Sequence, residues 1–259
     1  PRRYYRQCLV WPVQFAHDAK RCLVRMAGRR ARGAGELLNG LTDSVYSGEH
    51  IALDYQEHGF VAGVPRLAGH GAAPGALTNV DWEMWLAATR LGVREATRLA
   101  GKDVPLHLVG YSNGGALAVK YALDALDSST LRRPQQLVLL SPLIGVTAFS
   151  RFVGFAGLPA LLPAFAKAAW LNIAPGYNPY KYNSFPVNAA RQSWLLTQAL
   201  QQQLSQDAHE NTLARLPPVL AFQSVMDSTV STRAVVTELF DRLPANGSEL
   251  VVFDINQAG

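Results

Sequence analysis

Cysteine is nearly missing from this chain: its 259 residues contain two, Cys8 and Cys22, with neither a C-x-x-C pair nor a zinc-ligand spacing around them. A disulfide framework is not indicated, and the redox compartment is left open. Charged residues are also scarce, at 17% against 49% hydrophobic, a balance that excludes a disordered chain. No uninterrupted apolar run reaches the ~18 residues a spanning helix requires, so no transmembrane segment is expected. No His/Cys/Asp/Glu cluster suggests a metal. Residues 110–115 lack the G-x-G-x-x-G spacing of a dinucleotide loop, so neither a metal nor a cofactor is expected. The chain opens on Pro1 without an intact signal peptide, and its start is expected to be processed, trimmed or incomplete.

The net charge of +5 sits at one end. Residues 1–32 hold nine Lys or Arg against one acid, Asp18, a surplus of +8, while the remaining 227 residues hold 15 basic and 18 acidic side chains, or −3. A basic arm can touch anionic lipid or nucleic acid. No nucleic-acid module accompanies it, so a solvated arm is the expectation and nucleic acid is not expected as a partner.

Short apolar runs alternate with helical periods over the rest of the chain, which reads as βαβ architecture with right-handed crossovers and a mostly parallel sheet flanked by helices. The pattern predicts helices over 44–58, 80–100, 113–126, 189–206 and 232–243. Strands are predicted over 59–64, 105–111, 136–141, 218–223 and 249–254. On the second helix Trp82, Trp85, Leu86, Val93, Ala96 and Leu99 share a face, read as core. About 75 residues separate Ser141 from Pro218, far more than one crossover needs. The chain therefore divides into a basic N-terminal arm (1–35), a first core part (36–142), a cap insertion (143–216) and a second core part (217–259). The insertion starts apolar, with Phe152, Phe155, Leu158, Leu161, Leu162 and Phe165. Most of these should simply pack the cap onto the core, although an apolar lining also suits an acyl chain. Residues 175–186 carry too many turn formers for a regular element and are expected to descend over the site's mouth.

Chemistry concentrates in Gly110-Tyr111-Ser112-Asn113-Gly114, which joins the apolar strand ending at Val109 to a helical run starting at Gly115. G-x-S-x-G between a strand and a helix is the pattern of a nucleophile elbow, with Ser112 as nucleophile in a strained turn that demands small neighbours. Asp227 follows the buried run Val219 to Ser224, where an acid that orients a histidine would stand. An ordinary role in the turn, or as N-cap of the following helix, is the other reading of Asp227.

With these motifs the chain resembles the α/β-hydrolase superfamily, and within it the bacterial branch similar to monoacylglycerol lipases and serine aminopeptidases. Pro65-Arg66-Leu67-Ala68-Gly69-His70-Gly71 is similar to that branch's P-G-H-G loop, with Ala68 in place of its proline. Gly40-Leu41-Thr42-Asp43-Ser44 is similar to its oxyanion loop. The resemblance covers residues 36–259 and implies an α/β-hydrolase fold with an inserted helical cap. It implies oxyanion donors at the amides of Leu41 and Asn113, and structural roles for His70 and His107. Asn39-Gly40 stands where the family has His-Gly, and residues 28–35 are charged and glycine-rich where it runs a buried apolar strand. It further implies a catalytic histidine in the loop after the last strand. Residues 255–259 contain none, so the base is expected beyond residue 259 and residues 1–259 alone are expected to be poor catalysts. The activity implied is hydrolysis of a small, lipid-like carboxylic ester with an apolar acyl group through an acyl-enzyme. One alternative is an aminopeptidase, which would need a cap carboxylate for the substrate ammonium, whereas residues 142–200 contain no Asp or Glu. The other is a non-catalytic or incomplete domain that binds acyl ligands. Oligomeric state and compartment, bacterial cytoplasm or cell envelope, stay open.

Overall fold

The computed structural model describes residues 23–26, 30–71, 74–145, 170–173, 181, 183–225, 227 and 230–254. Nine strands and five α-helices occur among them: β1 Leu23–Arg25, β2 Gly33–Leu38, α1 Glu49–Glu57, β3 Phe60–Val64, α2 Trp82–Ala100, β4 Leu106–Tyr111 and α3 Asn113–Asp127, then β5 Gln136–Leu140, β6 Trp170–Asn172, β7 Phe185–Pro186, α4 Val187–His209, β8 Val219–Ser224, α5 Thr232–Glu238 and β9 Glu249–Phe253. Seven strands form the main sheet in the order β1-β3-β2-β4-β5-β8-β9. Only β1 runs antiparallel, against β3. This is an α/β-hydrolase fold. No helix of the described residues is long and apolar enough to cross a membrane.

The sheet begins earlier than the sequence pattern suggests. Residues 33–35, read as the end of a charged arm, open β2, every residue of which is buried. Glycine is a poor strand former, and here tertiary contacts compensate. A Cβ at Gly33 would lie 2.1 Å from the Phe60 ring, and one at Gly35 would lie 2.7 Å from the Tyr55 ring. Tyr55 and Phe60 meet edge to face, with centroids 5.3 Å apart, and fill the space the glycines leave. Leu23–Arg25, also assigned to the arm, forms the edge strand, and Arg25 reaches Glu49 of α1 at 2.5 Å.

Helix α2 follows its pattern: Trp85, Leu86, Val93 and Ala96 are buried, Trp82 and Leu99 half-buried. Gly101, at φ 97°, ends it. The helix expected over 44–58 is a 3₁₀ turn, Val45–Gly48, capped by Ser44 and continued by α1. That expected over 232–243 breaks at Leu239 into α5 and a 3₁₀ turn, Phe240–Arg242.

Most of the apolar cap segment, 149–169, and residues 175–180 and 182 of the turn-rich stretch lie outside the described residues. The later part of the insertion is core. Leu196, Leu200 and Leu204 of α4 belong to the main hydrophobic cluster with Leu117, Leu123 and Leu137.

Candidate active site

A parallel sheet sends the C-terminal ends of its strands to one edge, and four chemically distinct segments meet that edge here. Residues 39–43 follow β2, Ser112 follows β4, Ser141 follows β5 and Asp227 follows β8. Ser112 has φ 53° and ψ −116°, a region that side chains other than glycine rarely adopt. The strain is held by backbone bonds: the Ser112 amide donates to Leu140 O at 2.9 Å, and its carbonyl accepts from Gly115 and Leu143, both at 2.9 Å.

The elbow's glycines are dictated by close approach. A Cβ at Gly110 would lie 2.4 Å from Gly114 O. One at Gly114 would lie 2.0 Å from Leu38 O, closer than any carbon tolerates. Without a side chain at Gly114, the first turn of α3 presses against the end of β2, next to the candidate oxyanion loop. As the first residue of α3, Asn113 has an amide with no intrahelical acceptor. Its buried side chain accepts from Ser193 Oγ at 3.0 Å, a link from α4 that no local motif signals.

The candidate oxyanion loop is braced from both sides. Asn39, standing where the resemblance leads one to expect histidine, is buried and donates Nδ2 to Gly40 O at 3.2 Å and to Asp43 O at 3.4 Å. Leu41 is half-buried and packs on the main cluster. Burial pushes the Asp43 carboxyl up, opposed by Lys181 and a backbone hydrogen bond at Gly40. An isolated antiparallel bridge joins Asp43 to Lys181, bringing that residue of the turn-rich stretch down to the loop. A cavity of about 340 Å³ opens here among Asn39, Asp43, Ile51, Val109, Tyr111 and Leu140.

His70 is enclosed by the fold and tied to backbone. It is fully buried; its Nδ1 donates to Ala68 O at 3.0 Å, an oxygen that also accepts from Trp85 Nε1 at 2.9 Å. Burial, against the pull of the Ala68, Gly40 and Leu67 backbone, drops its pKa to about 4, so the imidazole stays neutral. His107 Nδ1 meets Tyr55 OH at 3.2 Å, and His58 Nδ1 meets Asp54 O at 2.8 Å. His50 and His209 are exposed.

Asp227 is half-buried in the loop after β8, and its Oδ1 accepts from the Val230 amide at 3.0 Å. It does not cap α5; Ser231 does, accepting from the Ala234 amide. The Tyr111 phenol, next to Ser112, is raised by burial and then by the charges of Asp43 and Asp227, so both carboxylates lie within electrostatic reach of the elbow. No group of three or more His, Cys, Asp or Glu that could hold a metal exists among the described residues.

Comparison with proteins of curated function found no match. Among solved structures, the fold is similar to one from a study of two metagenome-derived lipolytic enzymes, at 20% identity and a TM-score of 0.72, over 91% of this chain and 88% of that one. It is similar to a monoglyceride lipase of Saccharomyces cerevisiae at 14% identity and a TM-score of 0.66, over 90% and 81%. It is also similar to a monoacylglycerol lipase of Paleococcus ferrophilus at 16% identity and a TM-score of 0.65, over 90% and 87%. Residues 37–256 match the model of the alpha/beta hydrolase family, and the chain belongs to that family.

Proposed function

We propose that the protein is a serine carboxylesterase that cleaves esters with an apolar acyl group through an acyl-enzyme on Ser112. The observation that carries this reading is the strained Ser112 at the head of α3, with Gly114 letting the first turn of that helix press against the end of β2. In the reaction Ser112 Oγ attacks the ester carbonyl while an imidazole takes its proton. The amides of Leu41 and Asn113 donate to the oxyanion of the tetrahedral intermediate. The alcohol leaves with the proton, and water then repeats the sequence on the acyl-enzyme. Asp227 orients the imidazole, which belongs on the loop that follows β9.

Substrate class rests on composition and neighbourhood. The first part of the insertion, 149–170, is rich in apolar side chains, which suits an acyl chain, and residues 142–200 contain no carboxylate, which disfavours an aminoacyl ammonium. The monoglyceride and monoacylglycerol lipases named above point the same way, towards a monoacylglycerol or lysolipid. In a form of the protein that carries the imidazole, a fluorophosphonate probe should label Ser112 and leave Ser112→Ala unlabelled. Esters of rising acyl length should be turned over faster than aminoacyl amides; the reverse order would overturn the substrate class, and labelling that survives Ser112→Ala would overturn the mechanism.

A further inference from the structure

Glu36 is an anomaly on the face of the sheet that α2 covers. The residue is 1% exposed in the middle of β2, and among the described residues no hydrogen bond or ion pair satisfies its carboxyl. A buried polar group without a partner is costly and calls for a reason. Space has been cleared for it on two sides: a Cβ at Gly63 of β3 would lie 2.4 Å from Oε2, and one at Gly92 of α2 would lie 1.9 Å from Oε1. Beside the carboxyl is a groove of about 330 Å³, walled by Val61, Val64, Ala88 and Leu91 and lined also by Arg66 and Glu95, a volume within the range of about 300–1,000 Å³ that ligand sites occupy. None of its lining residues belongs to the oxyanion loop, the elbow or the Asp227 loop.

We propose that this groove binds a small organic ammonium ion, its head on the Glu36 carboxylate and its apolar body along the side chains of α2. Charge complementarity selects this occupant. An anion would meet an unpaired carboxyl, and a purely apolar molecule would leave that carboxyl unsatisfied. An alcohol would make only a neutral hydrogen bond, roughly half as strong as a charge-assisted one. Of the two other charged residues that line the groove, Glu95 is ion-paired and Arg66 is tied to a backbone carbonyl, which leaves Glu36 as the group without a partner among the described residues. Arg66 donates Nε to His70 O at 2.9 Å, Glu95 pairs with Arg98 at 2.6 Å, and Tyr121, whose phenol feels the Glu36 charge, donates to Arg132 O at 3.1 Å. Burial raises the empty carboxyl to about 8. At pH 7, therefore, the acid releases its proton to solvent as the carboxylate–ammonium pair forms, and no covalent bond changes.

Isothermal titration with phenethylamine and with its neutral counterpart 2-phenylethanol tests the site without reference to catalysis. The amine should bind about tenfold or more tightly than the alcohol, the order expected for a hydrogen bond to a charged group. Titrations at pH 7 in buffers of different ionisation enthalpy should report close to one proton released. Glu36→Gln preserves shape, and with it the two affinities should converge; Ala88→Phe, which fills the wall, should weaken both ligands. Ser112→Ala should bind the amine as the parent chain does. Equal affinity for the two ligands, a preference that survives Glu36→Gln, no binding of the amine, or loss of binding in Ser112→Ala would each overturn the proposal.

Discussion

Strands β2 and β9 belong to one sheet yet experience different surroundings. Every residue of β2 is buried, whereas none of β9 is, and Val252 and Phe253 are 46% and 52% exposed. Burial falls off in steps between them. In β5 and β8 it alternates, with Leu137, Leu139, Val219 and Ala221 buried and Val138, Leu140, Leu220 and Phe222 only half-buried. Alternation with period two marks a sheet that the described residues cover on one face. The β2–β4 half is covered on both. A small cluster of Leu37, Ala52, Val64 and Val109 packs beneath α1, and the main cluster lies against α2 and α3. The candidate nucleophile and both candidate oxyanion donors stand on the doubly covered half, while Asp227 stands on the singly covered one. The groups that must hold a geometry set by strain rest on the better-packed scaffold.

The largest effect should come from breaking the chemical link between the halves. In a form of the protein that turns over esters, Asp227→Asn should lower kcat by about 10⁴-fold, as expected for a triad acid, with fluorophosphonate labelling slowed and the fold unchanged by circular dichroism. A change of less than about tenfold would return Asp227 to its role as a turn residue.

Packing is the next lever. Leu108→Ala, in the fully buried middle of β4, should cost about 2–5 kcal/mol in denaturant unfolding. Comparable costs for Leu108→Ala and Val252→Ala would erase the contrast between the halves.

Two buried ionisable groups give the doubly covered half a pH signature. The pKa of His70 in the fold, about 4, lies below its ordinary 6.5. The unfolded chain therefore takes up its proton first, and the stability linked to His70 is complete above pH 6.5 and lost as pH falls towards 4. Glu36 acts in the opposite sense. Its pKa, raised from 4.5 to about 8, makes the folded chain the better proton holder, so stability falls as pH rises through that window. Glu36→Gln should accordingly raise Tm at pH 8 and leave it nearly unchanged at pH 4.5. Each kcal/mol should appear as about 2–4 °C. An equal shift at both pH values would mean that Glu36 is charged or paired throughout.

The smallest effect belongs to the exposed edge. Val252→Ala in β9 should stay within about 0.5 kcal/mol, the range of an ordinary surface substitution. A larger loss, measured by the same denaturant unfolding, would show that β9 is covered in solution.

Local signals determined much of this protein. The apolar run into Gly110-Tyr111-Ser112-Asn113-Gly114 sufficed for β4, the elbow and α3, because backbone sterics at that turn admit few residue types. Periodicity sufficed for α2, because a helix that buries one face must repeat its apolar residues every three to four positions. The sequence order of Ser112 and Asp227 sufficed to bring both to one edge, since parallel strands carry their following loops to the same side. Other features exist only through long-range contact. Strand β2 is held by Phe60 and Tyr55 filling the space over Gly33 and Gly35, and its own residues, Gly-Ala-Gly-Glu, argue against a strand. Ser193 meets Asn113 across 80 residues of chain. Helix α4 packs on the main core through Leu196, Leu200 and Leu204 because of which elements it meets, and Glu36 lies beside a groove, unpaired among the described residues, because Gly63 and Gly92, far from it in the chain, leave room. Local pattern encodes the preferences of a segment, whereas burial, close approach and unpaired charge depend on which segments meet, and the tertiary fold alone decides that.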